Sequence, residues 1–147
     1  MKRTIVSLAV TFILGISAVF ADNVPDGNDK AREKFTRDFP GASLVQWGQQ
    51  DEYLKVSFVL NNVRVMAFFD RDGEFQGSVN TIFLDQLPIA VRTSFDKRFK
   101  DAVILEIFEI TNPEITRYKI VLDTKGTKYT AFLYYDGTIG QIQKTIN

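Results

Sequence analysis

Cysteine and histidine are both absent from the 147 residues. Without cysteine there are no disulfides, no thiol nucleophile and no lipid attachment through a cysteine behind a cleavage site. Without histidine the chain lacks the side chain whose ordinary pKa suits proton shuttling near neutrality. Charge of one sign is also missing: 18 Lys and Arg balance 18 Asp and Glu, which argues against general nucleic-acid binding. Long apolar runs are missing too, except for Ile5 to Phe20. That run is interrupted by Ser7, Thr11, Gly15 and Ser17 and falls short of the roughly 20 residues of a membrane span. Lys2 and Arg3 precede it, and Val19-Phe20-Ala21 places small residues at −3 and −1. Residues 1–21 therefore read as a secretory signal peptide, leaving a mature chain with no membrane span, expected in the periplasm, or outside the cell if there is no outer membrane. Stability must then come from packing alone, and 13 phenylalanines are available for it.

What is present is an internal duplication. Met66-Ala-Phe-Phe-Asp-Arg-Asp-Gly73 and Thr130-Ala-Phe-Leu-Tyr-Tyr-Asp-Gly137 match in register at a spacing of 64. Each reads as a strand running into an Asp-Gly turn, which tolerates positive φ. Lys55-Val-Ser-Phe58 falls on Lys119-Ile-Val-Leu122 at the same spacing. Upstream the spacing becomes 60, with Phe35, Phe39, Ala42 and Val45 falling on Phe95, Phe99, Ala102 and Leu105. A hairpin longer by four residues in the second copy accounts for the change.

Each copy is one helix followed by about four strands. Ala31, Phe35 and Phe39 form an apolar stripe that predicts a helix over 29–39, stopped by Pro40-Gly41, with Asp26 or Asn28 as cap after a loose arm. Val91, Phe95 and Phe99 predict a second helix over 88–99 with Pro88 in its first turn. Alternating runs predict strands at 43–48, 53–60, 63–69 and 75–79, then at 103–110, 117–122, 127–135 and 138–143. The fold class is α+β: a tandem repeat of helix plus four-stranded antiparallel meander, with both helices on one face of a continuous curved sheet. Residues 22–147 are expected to form one domain from two repeats, about 28–80 and 87–146, because a repeat of this size is marginal alone.

Strand parity then assigns the other sheet face. If Leu54, Val56 and Phe58 point to the helices, Tyr53, Lys55, Ser57 and Val59 point away. The same holds for Arg64, Met66 and Phe68 on the next strand, and in the second copy for Arg117, Lys119, Val121, Lys128, Thr130, Phe132 and Tyr134. Tyr53, Lys55, Arg64, Met66, Phe68, Arg117, Lys119, Lys128, Phe132 and Tyr134 are thus the candidate binding residues. Aromatics mixed with arginine favour interfaces, since they supply rigid area and planar donors. Phe68 and Phe132 are expected to face solvent, so that truncating them costs far less stability than truncating Phe35 or Phe95.

The order of these features resembles a family of exported proteins described as PepSY-like and β-lactamase-inhibitor-like. The resemblance rests on Phe35-x3-Phe-Pro-Gly-Ala42, Trp47, Tyr53-x-Lys-Val-x-Phe58, Phe69-Asp-x-Asp-Gly73, Leu87-Pro88 and Tyr135-Asp-Gly137, and spans nearly all of the mature chain. The second copy departs from it, with Lys100-Asp101 in place of Pro-Gly and Ile107 in place of Trp47. The resemblance implies tandem helix-plus-sheet repeats like those of the β-lactamase inhibitor protein, which grips an enzyme loop with its concave sheet. It does not imply an established activity, and inhibition of a β-lactamase is not carried over, because the residues for it have no match. The resulting reading is a non-catalytic, inhibitor-like exported module that binds a protein or peptide, acidic by complementarity, on the open sheet face. The alternatives are a carboxylate-based glycan or cell-wall hydrolase and a structural, self-associating protein; the sequence leaves the oligomeric state open.

Catalytic and metal chemistry find little support. Ser43, Ser57, Ser78 and Ser94 lack a nucleophile elbow. Glu106 and Glu109 are close in sequence but have opposite strand parity. Asp70-Arg-Asp-Gly-Glu74 resembles the start of a calcium loop, but glycine stands fourth rather than sixth and Thr81 occupies the twelfth position. A hairpin turn explains the segment, and neither metal nor cofactor is expected. Thermal unfolding curves recorded with a chelator and with added calcium should therefore superimpose; a calcium-dependent rise in Tm would show that Asp70 and Asp72 bind the ion.

Overall fold

The computed structural model describes residues 29–145. The expected signal peptide, the arm with its proposed cap, and residues 146–147 lie outside that range. Helix α1 (Asp29–Asp38) leads into strands β1 (Ser43–Gln50), β2 (Tyr53–Leu60), β3 (Val63–Phe69) and β4 (Phe75–Thr81). A 3-10 turn at Leu84–Gln86 precedes α2 (Ile89–Arg98), β5 (Val103–Thr111), β6 (Thr116–Thr124), β7 (Thr127–Tyr134) and β8 (Ile139–Lys144). The strands form one antiparallel sheet in sequence order. No described helix is long and apolar enough to cross a membrane.

Local chemistry accounts for the boundaries. Asn61-Asn62 and Lys125-Gly126 adopt positive φ at both positions, matching the right-handed twist of their flanking strands. Asp70 closes the β3–β4 turn, its carboxylate accepting from the Asp72 and Glu74 amides at 2.9 Å and from Gln76 Nε2 at 2.7 Å. Those bonds commit both oxygens to the turn. Pro88 sits at the N-cap of α2 with extended ψ 142°, one residue before the helical turn expected for it. The linker begins later than expected, since Thr81 still pairs in β4, and its 3-10 turn is closed by Gln86, whose side-chain oxygen accepts the Phe83 amide at 2.7 Å.

The register reproduces the two spacings of the repeat. Trp47 pairs with Val56, and 60 and 64 residues later Ile107 pairs with Ile120. The four extra residues therefore sit in the β5–β6 hairpin. Bulges recur at matching places: in β1 between Ser43 and Gln46, in β5 between Ile104 and Glu106, and opposite Phe68/Phe69 and Phe132/Leu133. Each extra residue adds twist and bends the sheet.

Three apolar clusters result. Ala31 and Phe35 of α1 pack on Leu54, Val56, Phe58, Ala67 and Phe69. The Phe35 ring lies 5.0 Å from that of Phe58 and 5.5 Å from that of Trp47, both edge-on. On the same sheet face Val91 and Phe95 of α2 pack on Ile107, Tyr118, Ile120, Leu122, Ala131 and Leu133, with Ile82 and Leu87 from the linker. The third cluster lies on the opposite face: Phe68, Val79, Phe108 and Ile110, with Tyr53, Met66, Val121 and Phe132 against them. Phe68 is only 1% exposed. This corrects the expectation that it faces solvent. Its parity is as expected, but Val79, Phe108 and Ile110 pack around it on that face, with Tyr53 and Met66 against them.

Two measurements follow. Phe68→Ala should destabilise the protein by about 3–5 kcal/mol, as should Phe35→Ala, in urea unfolding. A loss for Phe68→Ala well below that for Phe35→Ala would mean the third cluster is loose in solution. The second concerns Tyr118, 4% exposed, whose hydroxyl donates to Glu109 at 3.1 Å. Burial first, then the Glu109 charge and hydrogen bond, push its phenol up to about 12 from 10.0. The folded state thus holds the proton more tightly, so this stabilisation is complete below pH 10 and lost as pH rises through 12. Between pH 9 and pH 11 the wild-type Tm should fall more than that of Tyr118→Phe; parallel falls would contradict the assignment.

Candidate binding face

The pairing register sets the candidate residues side by side on the face away from the helices. Lys55 is opposite Phe68, Ser57 opposite Met66, and Val59 opposite Arg64. In the second half Arg117 is opposite Tyr134, Lys119 opposite Phe132, and Asp123 opposite Lys128. Between the halves, Val79 pairs with Ile110 and Thr81 with Phe108, while Phe108 also faces Lys119 and Ile110 faces Arg117. The result is an apolar floor flanked by cations. Arg64 and Lys128 are exposed at one end of it, where β3 and β7 begin, and Lys55, Lys119 and Arg117 are half-buried along it.

Aromatic rings hold the cations in place. The Lys119 ammonium lies 5.3 Å from the centre of the Phe108 ring, and the Arg117 guanidinium 5.8 Å from that of Phe132. Such contacts strengthen when water is removed, because the ring quadrupole is then unscreened. Lys55 and Lys119 make no ion pair with a described residue. By contrast, ion pairs decorate both helices: Lys34 and Arg37 with Asp38 at 3.5 and 3.3 Å, and Arg92 with Asp96 at 4.0 Å. Two acids share the face, Glu106 and Asp123, both towards the end where β5 starts and β6 finishes. One Asp123 oxygen accepts the Gly126 amide at 2.9 Å. At the other end Tyr53 has its phenol pushed up by burial, with Glu52 and Asp70 adding to it, so it remains a neutral donor.

The two nearest acids of β5 are kept apart. Glu106 faces the floor, whereas Glu109 lies on the helix side against Tyr118, so the two carboxylates cannot flank one bond. Among the described residues no group of three or more potential ligands is placed to hold a metal. All ten candidate residues lie on one face, but Phe68 belongs to its floor rather than its surface. Phe108, Ile110 and Val79 belong to the same floor and were not picked out from the sequence. Their signal was weak because β5 is apolar at both parities: Ile104, Leu105, Ile107, Phe108 and Ile110 are broken only by Glu106 and Glu109, and the bulge shifts parity at Leu105.

No protein-family model matches the chain, and no curated protein matches it. Solved structures do share the fold. A BLIP-like protein from Bacteroides fragilis superposes with TM-score 0.77 at 16% identity, covering 86% of this chain and 91% of its own. A DUF2874 family protein from Bacteroides uniformis gives 0.75 at 16% identity over 83% of this chain and 90% of its own. A candidate periplasmic protein from Bacteroides eggerthii gives 0.74 at 23% identity over 83% and 89%. The inhibitor-like part of the sequence resemblance thus has a structural counterpart, while the PepSY-like part has none among these three. At such identities the likeness establishes the architecture: an α+β fold with two helices on one face of an eight-stranded antiparallel sheet.

Proposed function

We propose that the chain is an exported, non-catalytic binding module whose concave sheet face takes an acidic protein or peptide segment. The observation that carries the reading is the pair of cations laid on aromatic rings, Lys119 on Phe108 and Arg117 on Phe132, above a buried apolar floor. A half-buried lysine without an ionic partner gains most from a carboxylate delivered by another molecule. The floor supplies what the centre of an interface needs, rigid aromatic area already excluded from water. Export through residues 1–21 and a periplasmic location belong to the same proposal, as does the fold shared with a BLIP-like protein.

The test compares capture from a periplasmic extract by immobilised wild-type protein and by Lys119→Glu, with bound proteins identified by mass spectrometry. Reversal should leave the Tm unchanged within a degree or so, since the side chain is not part of a core, and weaken capture of the acidic partner by about ten-fold. Added salt should weaken wild-type capture more than that of the variant. Equal capture by both proteins, at either salt concentration, would remove this face from the function.

A further inference from the structure

The junction between the two halves has its counterparts at β1 and β8, the edge strands of the sheet among the described residues. Inside the chain β4 pairs with β5 through Val79–Ile110, Asn80–Glu109 and Thr81–Phe108. The Ile82 amide then donates to the Ile107 carbonyl at 3.0 Å, and the Ile82 side chain, 7% exposed, fills the groove between α2 and β5 against Val91, Phe95 and Ile107. At a spacing of 60 the β5 residues fall on Trp47, Gly48, Gln49 and Gln50 of β1, which is an edge strand. At a spacing of 64 the β4 residues fall on Gln143, Lys144 and Thr145 at the other edge. Thr81-Ile82 falls on Thr145-Ile146; Ile146 lies outside the described residues.

The groove that Ile82 fills in the second half is open in the first. Between α1 and β1 lies a cavity of about 500 Å³, lined by Arg32, Phe35, Phe39, Val45 and Trp47 among others. Arg32 stacks on Trp47 at 5.2 Å, and at the β1 bulge Leu44 and Val45 are 77% and 39% exposed. At the spacing of 60, Asp22 and Gly27 stand where Ile82 and Leu87 do, so the sequence offers no equivalent apolar pair at those positions. The bulge does not block pairing, since in β5 the paired stretch lies beyond the equivalent bulge.

We infer that this groove and the β1 edge receive the C-terminal strand of a second copy of the chain. Gln143, Lys144 and Thr145 of one copy pair antiparallel with Gln50, Gln49 and Gly48 of the next, and Ile146 enters the groove as Ile82 does within the chain. The geometry is head-to-tail, so each copy has a donor edge and an acceptor edge. Gln143 and Gln50 replace the apolar pair of Val79 and Ile110, so the contact between copies is weaker than the junction it repeats and is reversible.

Sedimentation velocity of the purified protein, taken up to about 100 µM, should show a sedimentation coefficient rising with concentration. Ile146→Asp should raise the concentration of half-association by about ten-fold or more. Gln50→Lys with Gln143→Lys places like charges opposite each other and should abolish association, whereas Gln50→Glu with Gln143→Lys should restore it. Because the chain has no cysteine, Gln50→Cys with Gln143→Cys gives an independent reading: oxidised glutathione should produce a disulfide-linked ladder beyond the dimer. Gln46→Cys with Gln143→Cys, out of register, should not. A wild-type monomer across the whole range, association indifferent to the charge variants, or a ladder from the shifted pair alone would each overturn the inference.

Discussion

The contact on which the rest depends is between a glycine and the first turn of a helix, made twice. Gly73, at φ +82°, lies so close to α1 that a β-carbon would come within 2.8 Å of the Ala31 nitrogen and the Lys30 Cβ. Gly137, at φ +88°, meets α2 in the same manner: a β-carbon there would come within 2.5 Å of the Ala90 carbonyl oxygen and 2.7 Å of Ser94 Oγ. Any larger residue would have to push backbone aside and would also be strained in that conformation. Each helix is thereby anchored to the turn between the third and fourth strands of its own half. Its apolar stripe then falls across the middle of those strands, which selects one sheet face for burial. By strand alternation the other face is left to differ in composition, and that difference is where the cations gather.

The two faces are buried by different means. On the helix side each half has its own cluster, and Phe35 and Phe95 act as equivalent keystones, 6% and 3% exposed. On the concave side no helix packs among the described residues, and the floor is a cluster of strand side chains, Phe68, Val79, Phe108 and Ile110. β5 serves both sides: Ile107 packs beneath α2, while its neighbours Phe108 and Ile110 enter the floor. The cations stand over this floor rather than in it, so exposed charge and buried hydrocarbon share one surface without an unsatisfied polar atom among the described residues.

Much of this was legible in the sequence because the two halves spell the same thing in different residues. The Asp-Gly turns, the four-residue helical stripes and the Asn-Asn and Lys-Gly hairpins each carry a local physical reason, and β2 and β3 have the boundaries that alternation predicts. The change of spacing from 60 to 64 placed the longer hairpin correctly, as the β5–β6 pairing shows. What parity could not convey was depth. It put Phe68 on the correct face, but burial there depends on which side chains gather around the ring, and Val79, Phe108 and Ile110 come to it from strands that parity alone does not bring together. β5 misled for a related reason: a strand buried on both faces loses the alternation by which faces are told apart.

The floor of the concave face also constrains the order in which the chain can become safe. Phe68 and Val79 come from the first half, Phe108 and Ile110 from the second, and the cluster is complete only once β5 has joined β4. A chain that emerges amino end first, from a ribosome or through a translocation pore, displays the first pair together with the bare edge of β4 while the rest is still threading. During that interval the nascent half has the two traits that promote aggregation, uncovered aromatic surface and an unpaired strand. With no disulfide available to trap an intermediate, the speed with which residues 103–111 arrive limits the exposure, and a holding chaperone would have its natural client in the half-emerged chain.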